Sequence, residues 1–192
     1  MIEKICKTLF PILASWVLFF SCSENLTQLA QNYPIVYNTR DVSDILNLYA
    51  DDAIFEVTGQ FSLSGKNQIR DITKYDSVLN INMSVGNIET AGDSVFCTLS
   101  ETNDWLRIAE IGEAHYSVIF IFKEGLVSKI IASAKPKTAN AFNNVLTPLM
   151  IWAKENKPDL LSEMMPEGKF IYNAENAMKT LALLTEWKEN TK

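Results

Sequence analysis

Val42, Ile45, Leu46 and Tyr49 recur at i, i+3, i+4 and i+7, an apolar stripe that predicts a helix with Asp41 as its N-cap and Asp44 in its first turn. Ala50-Asp51-Asp52 is read as the end of that helix, and "AIFEV" as the first strand. Upstream, "SENLTQLAQNYPIVYN" reads as a short helix or two, interrupted at Pro34. Gly59 and Gly65 bracket a turn, and Ser64 is placed as the cap of a helix burying Ile69, Ile72 and Leu79.

The period then changes from helical to alternating. Three or four strands are expected at about 80–90, 93–103, 113–124 and 126–134, joined by turns at Gly92-Asp93 and Glu124-Gly125. Between Glu113 and Lys123 one face carries His115, Ser117, Ile119 and Ile121, and the other Tyr116, Val118, Phe120 and Phe122. Both faces are largely apolar, so both should be covered. Helices, one strand, a helix and an antiparallel meander argue an α+β domain rather than a doubly wound sheet.

The C-terminal third supplies candidate cover. A helix from Thr138 carries Phe142, Val145, Leu146 and Leu149, with a kink or restart at Thr147-Pro148. Pro158 opens a second helix, ended by Pro166 and Gly168. Asn173 caps a last one bearing Met178, Leu181, Leu184 and Trp187. Helices this short need a surface to pack on. The outer sheet face or a second copy of the chain, as a homodimer, is expected to provide it.

Composition narrows the function. Net charge is −6 and only three arginines occur, so no basic stripe can neutralise phosphates, and no nucleic-acid partner is expected. The chain's one histidine, His115, and its three cysteines form no zinc spacing, so no metal and no cofactor is expected. The N-terminus adds an address. Lys4 and Lys7 precede "TLFPILASWVLFF", thirteen residues without a charge, which fits the apolar region of a signal peptide. The "LFFSC" that follows resembles a bacterial lipobox. This implies removal of residues 1–21, lipidation of Cys22 through a thioether and acylation of its amine, and a domain held on the extracytoplasmic side of a cell-envelope membrane. An uncleaved N-terminal anchor is the alternative. Cys97 then remains alone and alternates with Val95 and Leu99, as a small core residue does.

The segments "RDVSDILNLYADDAIFEVTG", "LSGKNQIRDI" and the meander closing on "FKEGLVSKIIAS" together resemble the nuclear transport factor 2-like superfamily, with its SnoaL-like cyclases and ketosteroid isomerases. The resemblance implies a curved antiparallel sheet packed on helices around a conical cavity. Residues 22–138 would form that cone, and 139–192 an extension of the kind some SnoaL-like proteins carry. Anchored on "YADD", the isomerases' oxyanion-binding tyrosine falls on Tyr33. Their proton-shuttling aspartate falls on Val57, and their second acid near Ser117 or Val118. Without a carboxylate or imidazole at the shuttle position, isomerase chemistry is not inherited.

Other polar groups on apolar elements become the candidates. Tyr33 at the helix wall, with Glu101 and His115 on the strands, would line the cone and orient an apolar or amphipathic small molecule. Tyr33 would donate a hydrogen bond, Glu101 would accept one or act as a base, and His115 would do either. The bland alternative places Glu101 on the rim with Arg107, His115 in a structural role, and Asp51-Asp52 in a solvated turn. A small enzyme of isomerisation, cyclisation or dehydration is the other functional class left open.

Overall fold

The computed structural model describes residues 25–191; the leader expected over 1–21 and Cys22 lie outside the described residues. The chain opens with helix α1 (residues 25–37) and the short α2 (Val42–Leu46). Strands β1 (Tyr49–Val57) and β2 (Phe61–Ser64) precede α3 (Lys66–Val78). Next come β3 (Asn82–Ala91), β4 (Ser94–Thr102), a small α4 (Asp104–Ala109), β5 (Ala114–Lys123) and β6 (Leu126–Ala134). Then α5 (Pro136–Asn156), α6 (Pro158–Met164) and α7 (Ala174–Asn190) form the C-terminal extension.

The strands form a curved sheet in the order β2-β1-β6-β5-β4-β3. β1 lies parallel to β6 and the other neighbours run antiparallel, so the sheet is mixed rather than wholly antiparallel. Register fixes two faces. Leu99 pairs with Tyr116 and Cys97 with Val118, and Val118 pairs with Ala132 and Phe120 with Ile130. This row faces the helices. One residue out of step, Phe96 pairs with Ile119 and Ile119 with Ile131, on the outer face.

Local details depart from the sequence reading where tertiary pairing wins. The helix carrying Val42, Ile45 and Leu46 stops at Leu46, and Ala50-Asp51-Asp52 belong to β1. The reason is β6: the Leu48 carbonyl accepts the Val127 amide at 2.8 Å, and Tyr49 pairs with Val127, so the ladder captures the segment. Pro34 does not break α1, because Tyr33 and Tyr37 on either side are both locked into the core. β2 and α4 were not foreseen; each is too short to show a period. α3 is capped by Gly65 rather than Ser64. At φ +80°, position 65 favours glycine.

Pro148 sits inside an unbroken α5. Asn173 does cap α7, accepting from the Asn176 amide, although Met178 on that helix is 57% exposed. The extension does not lie where the doubly apolar strand suggested. α7 packs on α3 and α4, and residues of α5 and α6 line the same cavity as Val118 and Phe120. The outer sheet face is left with Phe96 42% exposed and Ser117 exposed. The tail closes the cone instead of backing the sheet.

Candidate functional site

Inside the cone is a cavity of about 750 Å³ walled by α1, α3, the inner sheet face and all three extension helices. Its lining is mostly aliphatic and aromatic, as in sites that take small apolar molecules. Aromatic pairs join extension to cone around it. Phe142 of α5 stacks on Trp105 of α4 with centroids 5.4 Å apart. Tyr172, in the segment before α7, meets Tyr75 of α3 at 5.3 Å and Phe61 of β2 at 4.7 Å. Lining residues that remain exposed, Thr58, Gly59, Gln60, Asn143 and Leu146, mark where the cavity reaches solvent.

Two carboxyl groups reach this apolar space. Asp76 follows Ile69, Ile72 and Thr73 on the buried stripe of α3, at the i+7 position from Ile69, so the helix carries it inward with its neighbours. It is only 9% exposed. The Tyr37 hydroxyl donates to its Oδ2 at 2.5 Å, while Oδ1 has no donor among the described residues and is open to the cavity. Burial pushes the Asp76 pKa up to about 8; the Tyr37 bond opposes the rise and the Glu101 charge adds to it. Next to this pair, the Tyr33 and Tyr49 hydroxyls share a hydrogen bond of 2.6 Å. Burial raises the pKa of all three phenols, so they stay protonated donors.

Glu101 continues the inward alternation of Val95, Cys97 and Leu99 on β4. Burial raises its pKa to about 7, against a hydrogen bond from Asn103. That bond is well oriented for a reason. The Asn103 Oδ1 caps α4 by accepting the Leu106 amide at 2.7 Å, which leaves its amide nitrogen to donate to Glu101 Oε1 at 2.6 Å. A helix cap therefore orients this carboxyl.

Of the residues singled out from sequence, Tyr33 and Glu101 line the cavity together. His115 does not join them. It lies on the outer face, partly exposed, with Nδ1 2.9 Å from Ser100 Oγ and Nε2 3.6 Å from Glu113 Oε2. Even strand alternation sends it opposite to Tyr116, which does line the cone. The proposed Glu101–Arg107 rim pair is absent too, since Arg107 pairs with Asp104 at 3.1 Å. Asp51 pairs with Lys66 at 3.0 Å on the surface. Asp76 was missed, yet the signal was present: it sits four residues after Ile72 on a stripe already read as buried.

No protein-family model and no curated protein sequence matches the chain. Solved structures do. A candidate ketosteroid isomerase from Kribbella flavida DSM 17836 aligns with a TM-score of 0.50 at 18% identity, over 59% of this chain and 79% of that one. An epoxide hydrolase/cyclase-like enzyme of pyran ring formation in the polyether salinomycin gives 0.53 at 15%, over 60% and 94%. An LEH-like epoxide hydrolase of M. tuberculosis gives 0.51 at 12%, over 67% and 97%. The fold is nuclear transport factor 2-like. At these identities the likeness extends to the fold alone. Within it, the positions where the isomerase resemblance put acids hold Val57 and Val118, both lining the cavity, and Ser117 outside it. The carboxyls of this nuclear transport factor 2-like cone come from α3 and the end of β4 instead.

Proposed function

We propose that this protein is a lipid-anchored cone of the bacterial cell envelope that binds an apolar or amphipathic small molecule, with the ligand's polar end at Asp76 and Glu101. One observation carries the reading: a cavity of about 750 Å³, apolar on nearly every side and walled in part by the protein's own extension, meets the buried carboxyl of Asp76 and the half-buried one of Glu101. A mostly apolar wall supplies the driving force, and a few polar groups fix the orientation. Anchoring rests on the lipobox-like "LFFSC". Titration with the neutral fluorophore N-phenyl-1-naphthylamine tests the cavity. It should saturate at one probe per chain, with energy transfer from Trp105. Weak, unsaturable uptake would reject the reading.

A second reading is favoured by the carboxyls' poise. A group titrating near neutrality serves well as a general acid or base. With Glu101 at about 7 and Asp76 at about 8, one can be ionised while the other keeps its proton. In that reading one carboxyl of the pair removes a proton and the other delivers one, in an isomerisation, cyclisation or dehydration. Substrate turnover that survives Asp76→Asn and Glu101→Gln together would exclude it.

A further inference from the structure

The carboxyl pair faces no positive charge. Among the described residues the cavity lining contains no lysine, arginine or histidine. Its ionisable groups are Asp76 and Glu101 with four tyrosines: Tyr33 of α1, Tyr75 of α3, Tyr116 of β5 and Tyr172 before α7. Behind them, Tyr37 and Tyr49 also face Asp76. Tyr37 and Asn103 each satisfy one carboxyl oxygen, and the second oxygen of each group is left for something that enters the cavity. Aromatic faces surround the same space, with Trp105, Tyr75 and Tyr172 among them. A buried and a half-buried acid beside aromatic rings, with no cation of their own, form a receptor for a cation.

We propose that the ligand is an amine: an apolar body carrying a protonated nitrogen that hydrogen-bonds to Asp76 and Glu101. This rests on the small-molecule reading above and names its chemical class. The ammonium supplies donors to the two free carboxyl oxygens, and the tyrosine and tryptophan faces add cation–π attraction. In the unliganded protein burial favours the protonated acids. An arriving ammonium reverses that preference, so binding expels a proton from the site to the buffer while the amine keeps its own. Affinity for the amine should therefore rise with pH through the neutral range.

The test uses the full chain and three matched probes, 4-phenylbutylamine, 4-phenylbutanol and 4-phenylbutanoate, titrated by calorimetry. At about pH 7.5 the amine should bind about tenfold or more tighter than the alcohol, since a charge-assisted bond exceeds a neutral one. Calorimetry in two buffers of different ionisation enthalpy should show proton release. The advantage should shrink near pH 5.5 and vanish in Asp76→Asn with Glu101→Gln, a variant whose retained alcohol binding reports that it is folded. Alcohol binding as tight as amine binding in the wild type overturns the amine assignment and leaves the small-molecule reading standing. Failure of all three probes overturns both.

Discussion

Tyr37 and Asp76, thirty-nine residues apart, meet through a 2.5 Å hydrogen bond that ties α1 to α3 in the wall of the cavity. The bond gives a buried acid one partner and leaves its other oxygen for the cavity. A carboxyl kept in such a place costs stability that a neutral side chain would not.

Replacing that acid should make the cost visible. Asp76 has its pKa raised from 3.8 to about 8, so the folded state holds its proton while the unfolded state has already lost it. Folding stability therefore falls as pH rises from about 4 to about 8, at about 1.4 kcal/mol per unit of displacement as an upper bound. Asp76→Asn keeps an acceptor for Tyr37 and removes the titration. Its melting temperature should exceed that of the wild type at pH 8, and the two should converge near pH 4. Parallel curves would show that Asp76 is not a buried titrating group.

How the sequence encodes this site is uneven. Glu101 was legible because β4 alternates strictly, and an acid in phase with Val95, Cys97 and Leu99 must face the same way. Asp76 was legible in principle, since it shares the period of Ile69 and Ile72, but an aspartate near a helix end is ordinarily read as solvated. His115 was misplaced for a different reason. Both faces of β5 carry apolar residues, so alternation separates them without saying which is inside; the choice depends on the curvature of the sheet. The same ambiguity leaves open, from the strand alone, which sheet face the extension covers. The β1–β6 pairing, which converts the end of the α2 helix into strand, joins residues almost eighty positions apart, and no local period reports it.

The extension as a closing element predicts a stability coupling across the cavity rim. Phe142→Ala removes the stack on Trp105 and should cost about 2 kcal/mol, the size expected for a partly buried aromatic. Deleting residues 139–192 should go further. It would uncover Leu99, Val118 and Phe120, and the truncated chain should aggregate or lose its cooperative melt. A truncated chain that melts like the wild type would make the extension an appendage.

The anchor has its own check. Metabolic labelling with an alkyne fatty acid should tag the wild type and leave Cys22→Ser unlabelled. Equal labelling of both would remove the lipid anchor from the account.

Occupancy of the cone by a small molecule is tested directly by native mass spectrometry of the protein purified from its native source. One low-mass ligand per chain should appear beyond any covalent lipid, and be released when the protein unfolds. A chain that has no bound low-mass species other than a covalent lipid, and that leaves added N-phenyl-1-naphthylamine unbound, would contradict that occupancy.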